Sequence, residues 1–415
     1  MFLGNDAALM GGAVTAVVRD GGSLWYNPAG LGGAARDSID VTASVYSLRL
    51  YRAPRFIRSV QGASTDLSVN EFLTVPTQIS YLRRLNDSVS LGLGYFAPRA
   101  SNFIVRERLH ATVDNTVSDW SVNGLASYSE YVFGGAVGVE LTPDFRIGAG
   151  ASLRWDSVTQ SVDVFGATAT DATTDRLVQA GSLRTESDFG IEPTLGIQWQ
   201  IDQLTLGLNV RGPRFSLLGA GEIAQSTSVA TLVSGPLLAA DATPVEIERH
   251  PFALVRWGRY YAGAAYRFDR TVVSIEGDVQ PGLVKPDEGV DRQFAWNARV
   301  GATQELSHAV AVGCGLFTDR VADRNREGTL VTDGGNFYGA SAGLRFRSEH
   351  RLAAGEPADS LVFKSVFALK YARAKAKTES LIVDPSQDID GSFALDKSDL
   401  VVHEVGLYVG SGIDF

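Results

Sequence analysis

The sequence has no long hydrophobic run and very little cysteine. No uninterrupted apolar stretch approaches the roughly 18 residues that a membrane-spanning helix needs, so a helical membrane protein is excluded. The single cysteine, Cys314, has no partner for a disulfide within the chain. The histidines are scattered without the spacing of metal ligands, so we expect neither a metal nor a cofactor. They are His110, His250, His308, His350 and His403.

The balance of charge and hydropathy narrows the class further. The net charge of −10, with basic residues that form no cluster, argues against a nucleic-acid partner. A mean hydropathy of +0.02 is typical of a soluble protein. It is equally typical of a membrane β-barrel, whose strands carry apolar side chains only on the lipid face. Residues 1–12 lack the basic and apolar regions of a secretory leader, so we expect that a leader was removed or never present.

Apolar residues alternate with polar or small ones over most of the chain. In FRIGAGASLRW, residues 145–155, one face is Phe, Ile, Ala, Ala, Leu and Trp, and the other is Gly, Ser and Arg. A period of two is the pattern of a β-strand with one apolar face. It predicts fourteen strands at about 38–52, 75–85, 88–104, 126–141, 144–159, 185–200, 203–217, 249–268, 271–284, 292–305, 308–320, 335–348, 360–376 and 398–415.

The connections between these strands alternate between short and long. Short turns are expected at 86–87, 142–143, 202–203, 269–270 and around Ser307, with a longer link at 349–359. Mostly long polar connections are expected at 53–74, 105–125, 160–184, 218–248, 285–291, 321–334 and 377–397. Short turns at one end and long loops at the other are typical of outer-membrane barrels. We therefore predict an all-β, fourteen-stranded antiparallel transmembrane β-barrel.

A soluble β-sandwich or propeller is the alternative with many strands. It would bury the apolar face and expose a face rich in Lys, Glu and Thr. Here the second face mixes Gly, Ser, Gln and isolated charges, and many strands exceed the usual five or six residues. The sandwich and the propeller are therefore disfavoured.

Residues 1–37 precede the first strand. Asn5 or Asp6 is placed to cap a helix that ends near Val18. Pro28 fixes its own φ and disfavours helix at Asn27. Because about 37 residues are too few for a separate domain, we expect this stretch to pack inside the barrel as a plug. The predicted division is an N-terminal lumenal hatch, 1–37, and a transmembrane barrel, 38–415.

Two segments resemble a known family. GGAVTAVVRDGGSLWYNPAGLGG, residues 11–33, resembles the N-terminal hatch of the FadL-type (OmpP1/FadL/TodX) outer-membrane transporters of long-chain fatty acids and hydrocarbons, in which Asn-Pro-Ala recurs. The last strand, ending at Phe415, resembles the C-terminal signal of bacterial outer-membrane barrels. The resemblance implies a fourteen-stranded barrel in the bacterial outer membrane. It also implies passive uptake, with a ligand site against the hatch and lateral exit through the wall.

The resemblance also implies roles for the residues around the tripeptide. Asn27, Pro28 and Ala29 become hatch residues whose rearrangement couples ligand binding to opening; alternatively they form a rigid turn that seats the plug. Trp25 and Tyr26 either contact the ligand or anchor the hatch to the wall.

Charged residues fall on the inner face by alternation. They are Arg154, Glu192, Arg211, Glu276, Asp278, Arg299, Arg345, Arg347 and Lys370. We expect most of them to be ion-paired, because buried charges require partners. One arginine is expected to receive a ligand carboxylate, and the candidates are Arg154, Arg299 and Arg345.

The function predicted from these features is passive transport of long-chain fatty acids or other hydrophobic compounds, with outer-membrane lipids as neighbours. One alternative is a FadL-like barrel that anchors or assembles a secretion or surface-motility complex through a protein partner, and another is a general porin. GASAG, residues 339–343, matches the Gly-x-Ser-x-Gly elbow, with Ser341 as nucleophile. That elbow requires a strand-to-helix turn, whereas this segment reads as a strand, so an enzyme is not expected.

Overall fold

The computed structural model describes residues 2–59, 62–113, 116–170, 174–233, 237–242, 244–252, 258–285, 290–320, 322, 335–351, 360–383 and 394–415. Three short helical elements precede the first strand. They are α1 (Asn5–Leu9), α2 (Ser23–Tyr26) and a 3₁₀ helix, η1 (Pro28–Gly33). Within the described ranges, none of the helices has the length and apolar character needed to cross a membrane.

The strands account for most of the chain. They are β1 (Ser38–Ser59), β2 (Ser64–Arg84), β3 (Val89–Val113), β4 (Thr116–Thr142), β5 (Phe145–Thr170), β6 (Thr174–Ile201), β7 (Leu204–Arg211), β8 (Phe215–Val233), β9 (Leu237–Ala242), β10 (Glu246–His250), β11 (Arg259–Phe268), β12 (Thr271–Gln280), β13 (Leu283–Lys285), β14 (Val290–Arg292), β15 (Ala295–Glu305), β16 (Val310–Asp319), β17 (Asn336–Arg351), β18 (Ser360–Val383) and β19 (Ala394–Asp414).

Fourteen of these strands form a closed antiparallel ring. The order is β1, β2, β3, β4, β5, β6, β7, β11, β12, β15, β16, β17, β18 and β19. The pairing of β19 with β1, which starts at Ser38 and Asp414, closes it. β8, β9 and β10 extend the wall at one end, and β13 and β14 form a separate hairpin. The predicted fourteen-stranded barrel is confirmed.

The alternation in the sequence becomes an outer and an inner face. On β5, Leu153 and Trp155 are 41% and 50% exposed, whereas Arg154 between them is 4% exposed. Apolar side chains are therefore on the outside of the ring and polar ones inside it. A soluble sandwich would show the opposite arrangement, so that alternative is wrong.

Several expected loops are strand. β1 continues to Ser59, β3 to Val113 and β5 to Thr170, and each is hydrogen-bonded to the strand before or after it. Most of 53–74, 105–125 and 160–184 is thus regular hairpin. The polar composition of these stretches shows where a strand leaves the apolar band. A strand can continue beyond that point, as these strands do. The expected links at 321–334, 349–359 and 377–397 lie partly outside the described residues.

Two predicted strands are divided. The strand expected at 203–217 is interrupted between β7 and β8 at Gly212-Pro213-Arg214. Pro213 has no N–H to contribute to the ladder, and β8 resumes pairing with β6 beyond it. In the strand expected at 249–268, the barrel strand β11 starts only at Arg259, and residues 246–250 belong to β10 on the edge of β8.

Two apolar clusters lie inside the ring, beside the polar side chains of its inner face. In the first, residues that precede β1, such as Leu9 and Leu31, pack against inward side chains such as Phe96. In the second, Phe56 and Trp120 belong to the extended ends of the wall strands, away from the residues before β1. The first cluster positions the site described next.

Candidate functional site

Residues 2–37, here called the N-terminal segment, do not contain the long helix that the sequence predicts. Helix α1 ends at Leu9 and not near Val18, because Gly11 and Gly12 have φ values of +60° and +82°. Neither Asn5 nor Asp6 caps it, since the N-cap position is Gly4. The rest of the segment folds as turns, α2 and η1, which lets it follow the inner wall.

The Asn-Pro-Ala tripeptide fixes a crossing point inside this segment. The Asn27 side-chain amide donates to the carbonyl oxygens of Thr15, at 2.8 Å, and of Ile197 on β6, at 3.0 Å. Its Oδ1 accepts a hydrogen bond from Ala29 N at 3.1 Å, which caps η1. Pro28 occupies the first helical position, where no N–H is needed. Asn27 and Ala29 are both 0% exposed, so these bonds are shielded from water.

Glycines on the wall leave room for this crossing. A Cβ at Gly148 would meet the backbone of Pro28 and Ala29, and one at Gly196 would meet the Asn27 side chain. Gly148 and Gly196 face each other across β5 and β6. These two glycines are therefore places where the wall accommodates the N-terminal segment.

Contacts of this kind continue around the ring. A Cβ would overlap the N-terminal segment at glycines on β4, β5, β6, β7, β15, β16 and β19; these are Gly138, Gly148, Gly196, Gly207, Gly301, Gly313, Gly315 and Gly410. Glu276 on β12 accepts hydrogen bonds from the backbone N–H of Val14, at 3.0 Å, and of Thr15, at 2.9 Å. The segment is therefore attached to the wall on every side of the lumen.

Trp25 and Tyr26 have different surroundings. The Trp25 ring is half-buried, with the Arg211 guanidinium 3.9 Å above its centroid and the Phe96 ring 5.6 Å away. Tyr26 is buried, and its hydroxyl accepts a hydrogen bond from Leu3 N at 3.4 Å. Burial raises the pKa of Tyr26 to about 12. The hydrogen bond of Tyr26 thus joins two parts of the N-terminal segment, while Trp25 keeps part of its ring accessible. The roles of both rings as ligand contacts or wall anchors stay predictions.

Phe96 marks the point where the backbone pairing between β2 and β3 ends. The backbone pairing between β2 and β3 covers only Gln78–Arg84 and Ser90–Phe96 and stops at the pair Gln78 and Phe96. Beyond it, β3 has a register shift against β4 between Phe96 and Arg99, a stretch that contains Pro98. The remaining halves of β2 and β3 make no backbone ladder with each other. We call this unpaired region the β2–β3 gap.

Side chains bridge the β2–β3 gap. Glu71 on β2 accepts a hydrogen bond from Asn102 N on β3 and another from the Tyr51 hydroxyl at 2.8 Å. Further along, Glu107 Oε1 accepts from Ser68 N at 3.1 Å. The two strands are therefore held together here by polar side chains, which separate more easily than a continuous ladder.

The three arginines predicted to bind a ligand all have carboxylate partners. Arg154 lies 2.5 Å from Glu130 and 2.9 Å from Glu192. Arg299 contacts Glu276 at 2.8 Å and Asp278 at 2.7 Å. Arg345 contacts Asp6 at 3.2 Å and Glu305 at 3.6 Å. The expected pairing of lumenal charges is confirmed for these residues, and their ligand role stays a prediction.

Arg211 is a lumenal cation that the sequence did not single out as a ligand contact. Among the described residues no carboxylate lies within 4.0 Å of its guanidinium, although the side chain is buried. Its contacts are the Trp25 carbonyl oxygen, the Trp25 ring and, at 5.4 Å, the Tyr261 ring. Alternation placed Arg211 on the inner face, but only the tertiary structure shows that no described carboxylate forms a close ion pair with it.

A polar cavity of about 330 Å³ lies on the other side of the N-terminal segment, beside the short turn at 306–309. Asp6, Asp20 and Asp40 are among its lining residues. Burial, together with the charges of Asp6 and Asp40, raises the pKa of Asp20 to about 8. The proton on Asp20 therefore favours the packed position of the segment.

The residues weighed for catalysis or metal binding are not assembled into a site. Ser341 lies in the middle of β17, opposite Gly315 and Lys370, and not at a strand-to-helix turn. Across the described ranges, no group of three or more His, Cys, Asp and Glu side chains has the arrangement of a metal site.

Comparisons with known proteins bear on this architecture. No family model matches the sequence, and no curated protein matches it. A FadL homologue of Pseudomonas aeruginosa matches at 13% identity and a TM-score of 0.56, over 99% of this chain and 97% of that one. The toluene transporter TodX of P. putida matches at 12% and 0.58, over 99% and 97%. The toluene transporter TbuX of Ralstonia pickettii matches at 12% and 0.55, over 100% and 98%.

The protein has the fold of the FadL-type channels. The match covers nearly the whole of both chains, so it includes the N-terminal segment as well as the barrel. The FadL-type fold expected from the Asn-Pro-Ala segment is thereby confirmed. At 12–13% identity the comparison concerns the fold, and the ligand has to be inferred from the residues of this chain.

Proposed function

We propose that this protein is a bacterial outer-membrane channel for the passive entry of hydrophobic compounds. The observation that carries the proposal is the contact between Trp25 and Phe96, at a centroid distance of 5.6 Å. The partly accessible Trp25 ring is thus next to Phe96, where the β2–β3 gap begins. A ligand that leaves this ring has a sideways route through the wall.

In this proposal residues 1–37 are a hatch and residues 38–415 are the transmembrane barrel. The hatch is seated by Asn27, by Glu276 and by the wall glycines, and it occupies the lumen at their level. A hatch in this position would block a straight water-filled path through the lumen, which argues against a general porin. Rearrangement of the Asn27 to Ala29 turn would change the surface that Trp25 presents.

A lateral route suits an apolar ligand for an energetic reason. Exposing an alkyl chain to water costs about 0.8 kcal/mol for each CH₂ group, or roughly 11 kcal/mol for fourteen of them. Passage from the lumen through the β2–β3 gap into lipid avoids that exposure. Toluene transporters share this fold, which supports apolar compounds in general as the ligand class.

We further propose that the preferred ligand carries a carboxylate, as a long-chain fatty acid does. Arg211 is a buried cation without a carboxylate partner among the described residues, and it stacks on the ring assigned to ligand contact. A ligand carboxylate would supply the missing charge while its alkyl chain lies along Trp25 and Phe96. Binding at Arg154, Arg299 or Arg345 would first have to displace an existing carboxylate.

The test of ligand class is binding of hexadecanoic acid and hexadecane to the purified full-length protein. Arg211→Gln should weaken binding of the acid by a factor of roughly 10 to 150, because a hydrogen bond to a charged group contributes about 1.5–3 kcal/mol. The affinity of Arg211→Gln for hexadecane should stay within about twofold of the unchanged protein. Trp25→Ala should weaken the binding of both ligands. Equal loss of acid and alkane in Arg211→Gln would refute the carboxylate assignment and leave the channel proposal intact.

Transport itself is tested in cells and in membranes. The protein should fractionate with the outer membrane, and deletion of its gene should slow uptake of a long-chain fatty acid or an alkane. The purified protein should show very low ion conductance, because the hatch is seated. A high steady conductance would indicate a porin. Unchanged uptake of every hydrophobic compound tested, with a stable protein partner, would indicate the anchoring role.

A further inference from the structure

Five side chains form a cluster on the outside of the wall, which we call the outer basic patch: Arg52, Arg320, Arg373, Lys375 and His403. The register places Tyr338, Arg373 and His403 in one row across β17, β18 and β19. The next row contains Lys375, Val401 and Arg52. The inward neighbours Ala372 and Ala374 are 0% and 1% exposed, so Arg373 and Lys375 point away from the lumen.

The patch lies at a defined height on the barrel. Below it on β18, the exposed outward side chains are Phe363, Phe367, Leu369 and Tyr371. From Phe363 to Tyr371 the strand advances eight residues, which at about 3.4 Å per residue and a tilt of about 40° is roughly 20 Å along the barrel axis. An apolar band of outer-membrane barrels is about 25 Å tall. Arg373 and Lys375 therefore begin where lipid headgroups would lie.

Aromatic side chains flank the cations. The Arg320 guanidinium is 3.9 Å from the centroid of the Trp296 ring, and its Nη2 is 3.5 Å from the Tyr338 hydroxyl. The Tyr371 hydroxyl and His403 Nδ1 are 2.9 Å apart. Tryptophan and tyrosine collect at membrane interfaces, which supports the assigned height. A guanidinium that lies over an aromatic ring can still donate hydrogen bonds from its terminal nitrogens to an anion.

Within the described ranges, the cations of the patch form no close ion pair with a carboxylate. Among the described residues, Arg52, Arg320, Arg373 and Lys375 have no carboxylate within 4.0 Å. The neighbouring acid, Asp399, is paired with Lys377 at 2.5 Å. Inside the barrel, by contrast, Lys370 on the same strand is paired with Glu404 at 2.7 Å. A group of surface cations without a carboxylate partner in the described part of a chain with net charge −10 is suited to binding an external anion.

We propose that the outer basic patch binds the phosphate groups of a phosphorylated glycolipid in the outer leaflet of the membrane. Arginine and lysine on adjacent strands offer several N–H donors to one phosphate, and the apolar band below them packs against the acyl chains. The proposal rests on the outer-membrane location proposed above. It concerns the outside of the wall and does not depend on which compound crosses the lumen.

The test uses native mass spectrometry of the purified full-length protein with lipid A, an acylated glucosamine disaccharide that carries two phosphates. The variant Arg373→Gln/Lys375→Gln should retain lipid A about 30-fold more weakly, because each basic residue near an anionic membrane surface contributes roughly fivefold. The control Arg106→Gln/Lys397→Gln removes two other exposed cations and should stay within about twofold. All of these side chains are exposed, so the barrel should fold normally in each variant.

Two further arms separate phosphate recognition from general lipid adhesion. Lipid A from which both phosphates have been removed should bind the intact protein as weakly as lipid A binds the patch variant. Phosphatidylglycerol should bind less tightly than lipid A. Equal retention of phosphorylated and dephosphorylated lipid, or equal weakening in the patch and control variants, would overturn the proposal. Unchanged retention in the patch variant would do the same and assign the patch to another anion, such as an acidic protein. Outer-membrane fractionation tests the location independently.

Discussion

Replacing Gly138 on β4 by alanine should loosen the N-terminal segment. The added Cβ would lie 2.6 Å from Leu31 Cβ and still closer to Gly32 N. Carbon atoms normally approach to about 3.5–4.0 Å, so the segment or the wall must move by roughly 1 Å. The added Cβ would meet backbone atoms of η1, and it is itself attached to the backbone of β4, so neither side can relax by rotating a side chain. We expect η1 to be the part that shifts.

The magnitude follows from the cost of overpacking. One extra methyl group in a close-packed site costs about 1–3 kcal/mol. If the loosened segment escapes that clash, the population of the unseated state rises by a factor of about 5 to 150. Hydrogen exchange of the peptide 23–36 reports this population directly, because its amides exchange only when the segment leaves the wall.

The matched control is Gly134→Ala, four residues away on the same strand and also free of a side chain. The nearest atoms to its added Cβ lie at 3.8 Å, which is ordinary contact. We therefore expect peptide 23–36 to exchange about 5 to 150 times faster in Gly138→Ala and at the normal rate in Gly134→Ala. Ion conductance should be higher in Gly138→Ala than in Gly134→Ala. Identical exchange in the two variants would refute the idea that wall glycines seat the segment.

Three further changes address the same machinery. Asn27→Ala removes three buried hydrogen bonds at about 1 kcal/mol each and should speed exchange of the segment at least tenfold, whereas normal protection would argue against a tethering role. Glu71→Ala removes a bridge across the β2–β3 gap and should speed release of a fluorescent fatty acid from proteoliposomes severalfold; an unchanged rate would contradict the lateral route. The raised pKa of Asp20 means that the seated state binds the proton more tightly, so seating should weaken as the pH rises from about 4 to about 8 and then level off. Asp20→Asn should reduce this pH dependence, measured by hydrogen exchange corrected for its intrinsic rate.

Much of the architecture follows from local pattern. A period of two over most of the chain allows only strands, and apolar residues on one face with Gly, Ser and isolated charges on the other allow only an inside-out sheet that closes on itself. The count of fourteen survived errors at individual strands because each hairpin turn is a strong local signal. The helix that was expected to end near Val18 stops at Leu9, also for a local reason. Gly11 and Gly12 adopt left-handed conformations that composition does not reveal.

Ends of strands outside the apolar band were not predictable in this way. Polarity rises where a strand leaves the membrane, and the same polar residues serve a loop or a solvated hairpin. Continued pairing of β3 with β4 as far as Val113 is decided by the neighbouring strand, not by the residues of either one alone.

The sequence by itself determined the barrel, the number of its strands and the location of a small-residue segment before the first strand, because these depend on residues close together in the chain. Only the tertiary structure decided which buried charges have partners and where the backbone pairing of β2 and β3 ends. Arg154 and Arg211 look alike in sequence, yet carboxylates on β4 and β6 contact the first and an aromatic ring from the N-terminal segment contacts the second. Partnership of this kind depends on distances between residues far apart in the chain, which alternation and composition do not encode.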